Sequence, residues 1–269
     1  MEITADYIAG IYDRIQKKRP VIHCITNIVT VNDCANILLA AGASPVMAHH
    51  PLEVEEVTAQ TTALVCNMGA ISDYEAMEKA GIAAGNLDHA IVVDPVGVSG
   101  SAYRRKMCKR LIKKIHPVCI RGNYSEIPAL IEDHNTAAGV DSGDRSMETE
   151  SMIQYARAKQ MIVIASGEKD VITDGTTTYI CENGDAKMAR ITGSGCMSSA
   201  MLGAFLGVES SVHSAAACCA LIGIAGEYAA GKTNQCGGGT MTFHDYFIDE
   251  ISLLTQEELQ KVRVNVYSK

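Results

Sequence analysis

Short runs of consecutive apolar residues alternate with amphipathic stretches along most of the chain. Residues 20–24, 44–47, 61–66, 90–94, 117–121 and 161–166 are nearly continuous apolar runs of strand length. Between them lie segments with helical periodicity. In residues 31–42 the apolar positions Val31, Cys34, Ala35, Leu38 and Leu39 recur at i, i+3, i+4, i+7 and i+8, and Gly42 stands where such a helix stops. Helices are likewise predicted over residues 3–19, 73–84, 103–115 and 148–159. Strands that are apolar throughout are buried on both faces, so the pattern predicts an α/β fold with a central, mainly parallel sheet flanked by helices. Beyond residue 170 the pattern changes. Residues 171–174 and 177–181, joined through Gly175, predict a hairpin, and helices follow over 195–207, 212–230 and 242–254. No Pro- or Ser-rich linker, repeat or low-complexity tract divides the chain. Residues 1–269 are therefore expected to form one domain, with residues 134–145 as a surface loop.

Composition narrows this picture. With 47% apolar residues in a chain of 269, a core can be buried without metals or disulfides. The net charge of -8 argues against a nucleic-acid or anionic-membrane surface. No apolar run reaches the roughly 18–20 residues of a spanning helix. Residues 1–19 lack the apolar centre of a signal peptide, so a soluble cytoplasmic protein is expected. The ten cysteines form no Cys-x-x-Cys pair and fall in apolar segments, as reduced core residues do.

A parallel sheet binds ligands outside the carboxyl ends of its strands, and polar residues cluster there. Arg190-Ile191-Thr192-Gly193-Ser194-Gly195-Cys196 precedes an apolar helix. Backbone N–H groups at such a helix start can face an anion, and a thiol in the first turn is expected to have a lowered pKa. An ordinary glycine turn with a buried cysteine fits the segment equally well. In Val93-Asp94-Pro95-Val96-Gly97 a carboxylate at a strand end can hold a divalent cation or its waters, or simply cap the turn. Arg121-Gly122-Asn123-Tyr124-Ser125-Glu126 offers a planar donor fork for phosphate, with Asn123 and Glu126 three apart on one side of a helix start. A helix-capping network with a surface arginine is the competing reading. In Ser166-Gly167-Glu168-Lys169-Asp170 the Ser hydroxyl and Gly backbone can contact a nucleotide, and a strand-to-strand turn is the stronger reading.

Gly226-Glu227-Tyr228-Ala229-Ala230-Gly231-Lys232-Thr233 matches the P-loop spelling. A P-loop must follow a strand and open a helix, whereas here an apolar helix runs into the motif. Gly231 is read as a helix stop with Lys232 near the negative end of the helix dipole. His49 and His50 lack metal-ligand spacing to other His or Cys residues.

Together these segments resemble the hydroxyethylthiazole kinase family of the ribokinase-like superfamily. The resemblance runs from His23-Cys24-Ile25-Thr26-Asn27 through Gly42-Ala43-Ser44-Pro45-Val46-Met47, Asp94-Pro95-Val96-Gly97 and Arg121-Gly122-Asn123. It continues through Gly139-Val140-Asp141-Ser142 to Gly193-Ser194-Gly195-Cys196, in family order over nearly the whole chain. It implies a ribokinase-like three-layer sandwich that transfers the γ-phosphoryl of ATP to the hydroxyl of 4-methyl-5-(2-hydroxyethyl)thiazole with Mg²⁺. It also implies a homotrimer with active sites at subunit interfaces. By resemblance, Asn27, Met47 and the Gly193 backbone contact the thiazole, while Arg121, Ser166 and Gly195 contact ATP. Asp94 and Glu126 organise the metal, and Cys196 lies near the reacting hydroxyl. Three positions depart from the family pattern: Tyr124 replaces a small residue, and Ser194 and Ser166 replace threonines. Related readings are a hydroxymethylpyrimidine-type kinase, a non-catalytic thiazole or nucleotide sensor, and a lyase or dehydratase of the same superfamily.

Overall fold

The structure, a computed structural model, describes residues 1–132 and 145–267. Nine strands form one sheet: β1 (Val21–Ile25), β2 (Ser44–Val46), β3 (Ala63–Asn67), β4 (Ala90–Asp94), β5 (Cys119–Asn123), β6 (Ile162–Ser166), β7 (Asp170–Thr173), β8 (Thr178–Cys181) and β9 (Val264–Val266). Their order is β2-β1-β3-β4-β5-β6-β7-β8-β9. The first six strands are parallel, and β7, β8 and β9 continue the sheet antiparallel. The apolar runs and the hairpin thus fall where their patterns predict. The short edge strand β9 and the one-turn helix α3 (Val54–Thr58) carry too little pattern to be read from sequence.

Helices cover both faces. On one lie α1 (Ala5–Lys18), α2 (Val31–Ala40), α8 (Ser194–Val208), α9 (Val212–Gln235) and α10 (Thr240–Leu253). On the other lie α3, α4 (Tyr74–Asn86), α5 (Ala102–Ile115), α6 (Glu126–Glu132) and α7 (Arg145–Lys159). The pleat divides each strand between these layers. Ala63 and Val65 of β3 join the first core, and Leu64 and Cys66 join the second. This is the three-layer α/β sandwich expected.

The placement of α8 matters most for the site. It is buried from Met197 through Leu206 and crosses the central strands. A Cβ on Gly203 would meet Val65 Cγ2 at 2.7 Å and Ile22 Cγ2 at 3.0 Å, so glycine allows the helix to lie directly on the sheet. Phe205 is fully buried beside it, and truncation to Ala there would cost about 3–5 kcal/mol. This packing sets the first turn of α8 above the strand ends.

Two expectations need correction. The helix predicted over 212–230 continues to Gln235, so Gly231 does not stop it; the chain turns at Gly237, with φ +66°. Residues 226–233 lie wholly inside α9, Gly226 packs against Met188, and Lys232 pairs with Glu250 at 2.5 Å. The P-loop spelling is therefore a property of a packed helix. In addition, α9 is long and apolar enough to cross a membrane, although no run suggested it; 83% of that window is buried inside the fold. Residues 134–144 of the expected loop, including Gly139-Val140-Asp141-Ser142, lie outside the described residues, and Arg145 opens α7.

Candidate active site

The parallel strands end level with one another. Register pairs Asn67 of β3 with Asp94 of β4, and Asn123 of β5 with Ser166 of β6. Where the apolar runs stop, neighbouring strands thus present polar side chains side by side. A cavity of about 710 Å³ opens there, lined by Asp94, Arg121, Glu126, Ser166 and the Gly193–Cys196 turn. Seven of the nine predicted site residues are brought together in it. A second cavity, of about 610 Å³, includes His89, Lys114 and His116 in its wall and none of the nine predicted site residues.

Asp94 is 2% exposed, and its Oδ2 accepts from Asn67 Nδ2 at 3.0 Å and Ser199 Oγ at 2.9 Å. Burial pushes its pKa up to about 7, against the opposing pull of the Arg121 guanidinium. Arg121 reaches across from β5 and donates from Nη1 to the Gly195 carbonyl at 2.9 Å. A Cβ on Gly195 would sit 2.8 Å from that nitrogen, so any larger residue there would push the guanidinium aside. Asp170, at the start of β7, also lines the cavity. Burial raises it to about 6, and Arg121 draws it down.

Glu126 and Asn123 form a reciprocal cap. The Asn123 Oδ1 accepts from the Ser125 and Glu126 amides at 2.9 Å each, and Glu126 Oε2 accepts from the Asn123 amide at 3.0 Å. Glu126 Oε1 takes the Gly97 amide at 2.9 Å, which ties α6 to the turn after Asp94. The capping interpretation of this segment therefore holds, and Glu126 still lines the cavity. Ser166 Oγ is buried with no hydrogen-bond partner among the described residues.

Cys196 occupies the first turn of α8, as predicted, but its chemistry differs from expectation. Burial raises the thiol pKa, and the nearby Asp94 carboxylate raises it further. The favourable helix start is outweighed, and the lowered pKa is not found. Its Sγ accepts from Asn67 Nδ2 at 3.2 Å and from Asn27 Nδ2 at 3.5 Å.

Asn27 therefore touches the site through Cys196, whereas Met47 is absent from the cavity wall. Met47 lies on the loop after β2. The next residue, Ala48, gives its carbonyl to His23 Nε2 at 2.8 Å, while His23 Nδ1 accepts from Thr58 Oγ1 at 2.9 Å. Buried and held neutral, His23 pins this loop to β1. Asn67 and Ser199 escaped the sequence reading, and Asp170, which closes the segment that begins at Ser166, carried no role in it. For Asn67 a signal existed: it ends an apolar run at the position equivalent to Asp94 one strand away. Ser199 sits within an apolar helix and gave none.

Comparison with known proteins adds an independent finding. Residues 12–257 match the model of the hydroxyethylthiazole kinase family. A relative named hydroxyethylthiazole kinase, from Desulfovibrio desulfuricans, is 40% identical over 91% of this chain and 93% of its own. The solved hydroxyethylthiazole kinase structure of Pyrococcus horikoshii superposes with a TM-score of 0.89 at 30% identity, covering 98% of this chain and 100% of that one. The pyridoxal kinase of Staphylococcus aureus in complex with pyridoxal is similar in fold, with a TM-score of 0.57 at 16% identity over 77% of this chain and 87% of that one.

Proposed function

The chain belongs to the hydroxyethylthiazole kinase family, and from that membership we propose how its cavity works. It is a kinase that transfers the γ-phosphoryl of ATP to the hydroxyl of 4-methyl-5-(2-hydroxyethyl)thiazole, a step of thiamine salvage. The observation that carries the mechanism is the convergence of Asp94, Arg121, Glu126, Ser166 and the Gly193–Cys196 turn on one cavity at the strand ends.

Phosphoryl transfer depends on positioning and charge stabilisation more than on covalent chemistry. Arg121 and the unsatisfied Ser166 hydroxyl bind ATP. The Gly193–Gly195 backbone at the start of α8 faces the transferring group, where the helix dipole favours negative charge. Cys196 orients the alcohol, whose ring lies against Asn27, Met47 and the Gly193 backbone. The raised thiol pKa supports an orienting role over that of a strong base.

The donor set fits Mg²⁺, which takes one or two carboxylates and keeps several waters. Both hydrogen bonds described at Asp94 go to Oδ2, leaving Oδ1 for the ion, and Glu126, with each oxygen already accepting an amide, would hold a metal-bound water. When bound, the ion neutralises charge on the β- and γ-phosphates.

The acceptor side is the basis for a homotrimer with sites between subunits. Ile28 (90% exposed) and Leu52 (86%) follow Asn27 and Met47 on adjacent strand-end loops, an apolar edge suited to a second copy. One continuous sheet supports reading residues 1–269 as a single domain, and ten free thiols suit the cytoplasm.

The test is ADP release with Mg²⁺ and ATP, run with and without hydroxyethylthiazole, with the product mass determined. Thiazole-dependent ADP release and a product heavier by one phosphoryl group are expected. Turnover only with a different alcohol would overturn the substrate assignment. Cys196→Ser should keep much of kcat if the thiol orients, and lose it with a displaced pH profile if the thiol is a base.

A further inference from the structure

Asn27, Asp94 and Cys196 come from three separate elements: the loop after β1, the end of β4 and the first turn of α8. All three share a hydrogen-bond partner, Asn67, which ends β3 and is 1% exposed. Its Oδ1 accepts from the Gly69 amide at 2.8 Å and from Asn27 Nδ2 at 3.3 Å. Its Nδ2 donates to Asp94 Oδ2 at 3.0 Å and to Cys196 Sγ at 3.2 Å. These four bonds use both protons of the carboxamide and both lone pairs of its oxygen.

Chemistry fixes the orientation of that group. The Gly69 N–H can only donate, so it must face Oδ1, and turning the amide over would set donors against donors. Gly69 is also close enough to act as a stop: a Cβ there would lie 2.6 Å from Asn67 Oδ1 and 3.1 Å from Asn27 Nδ2. With Asn27 donating as well, the sulfur accepts twice, and its S–H is left to point away from both amides. A fully satisfied buried network of this kind has one geometry, and losing a member leaves the others unpaired.

We propose that Asn67 is a positioning residue, which holds the Asp94 carboxylate and the Cys196 sulfur in one frame and presents that sulfur to the acceptor alcohol. The catalytic consequence rests on the kinase reading above; the geometric claim stands without it. Asn67→Asp is the sharpest variant, because it keeps the shape and the acceptor facing Gly69 and Asn27. It replaces the donor with an oxygen that faces Asp94 and Cys196. The expected result is a ten- to hundredfold fall in kcat, the range for lost outer-shell partners, with KM for ATP within about threefold of wild type. A merely structural role would move KM and kcat together and would overturn the proposal.

A second readout needs no turnover. Cys196 in the ligand-free protein is alkylated with iodoacetamide at pH 8, and modification is followed by peptide mass spectrometry with the exposed Cys236 as internal reference. In Asn67→Asp the Cys196 rate should fall at least about fivefold relative to Cys236, because the sulfur exchanges an N–H donor for a repelling lone pair. An unchanged rate in folded protein overturns the proposal. Gly69→Ala tests the same frame if Asn67→Asp does not fold. It should lower kcat by displacing the amide, and a Gly69→Ala variant with normal kcat and normal alkylation also overturns the proposal. An inactive wild type whose Cys196 reactivity still depends on Asn67 would sink the kinase reading and leave the frame intact.

Discussion

The two sides of the cavity are built in different ways. The side to which we assign ATP is held by contacts within the described fold. Arg121 lies across Gly195, Glu126 locks α6 to the turn after Asp94, and Asp94 is held through Oδ2 by Asn67 and Ser199. The acceptor side is an edge: Met47 stands outside the cavity wall, and Ile28 and Leu52 project from the loops beside it. The difference teaches where rigidity is spent. Charge stabilisation needs donors fixed before the reaction begins, whereas a small apolar ring can be enclosed by a partner surface.

The largest effect should come from the sealed side. Asp94→Asn is expected to lower kcat about a thousandfold, the upper range for losing a charge-organising group. The same variant should be more stable. The folded Asp94 pKa is raised from its ordinary 3.8 to about 7, so the carboxyl binds its proton more tightly in the folded state. Its contribution is fully present below about pH 4 and is lost as pH rises through 7. Asn cannot ionise, so the stability difference between variant and wild type should grow over that window, reaching on the order of 4 kcal/mol at pH 8. Urea unfolding at pH 4, 6 and 8 measures it. Equal midpoint differences at all three would mean that Asp94 is not strained by burial.

Gly195→Ala attacks the same side by geometry alone. Its Cβ would lie 2.8 Å from Arg121 Nη1, forcing the guanidinium away from the Gly195 carbonyl. A fall in kcat of about a hundredfold is expected, with a raised KM for ATP, because misplacement of about 1 Å carries that cost. Steady-state kinetics in each substrate separates the two parameters. Normal ATP kinetics would show that Arg121 is not the phosphate clamp.

The acceptor side should respond to a different perturbation. Ile28→Glu and Leu52→Glu touch no phosphate-side residue, and if the edge is closed by a second copy they place a charge inside that interface. Light scattering should then report smaller particles, and KM for the thiazole should rise about tenfold while KM for ATP holds. A variant that keeps the wild-type mass and thiazole KM would separate the edge from the site.

The same contrast governs what sequence could reveal. The central strands, the turn at Gly42 and the clustering of Asp94, Arg121, Glu126 and Ser166 at one cavity are legible because each depends on local pattern: an apolar run, a glycine stop, a polar residue at a strand end. The sequence places Cys196 in the first turn of α8 but not its protonation, since burial raises the thiol pKa and the Asp94 carboxylate that adds to it lies 102 residues away in the chain. Gly231 misled because tertiary packing carried α9 through a residue that would end an isolated helix. Asn67 acts through three long-range partners, and no spacing along the chain encodes their meeting.

Tyr124 gives the smallest and most local test. Its ring lies against Gly167, where a Cβ would meet Tyr124 Cδ2 at 2.5 Å, and its hydroxyl donates to the Lys169 carbonyl at 2.8 Å. The large side chain at this position therefore braces the loop carrying Ser166, binding β5 to the turn before β7. The phenolic bond is partly exposed, and a bond of this class contributes about 0.5–1 kcal/mol. Tyr124→Phe keeps the ring against Gly167 and removes the bond to Lys169. If Ser166 contacts ATP, its loosened loop should raise KM for ATP about threefold, with kcat and thiazole KM unchanged. Tyr124→Ala removes the brace as well and should raise it further. A Phe variant equal to wild type beside a defective Ala variant would assign the effect to ring packing; two wild-type variants would leave the phosphate side rigid without Tyr124.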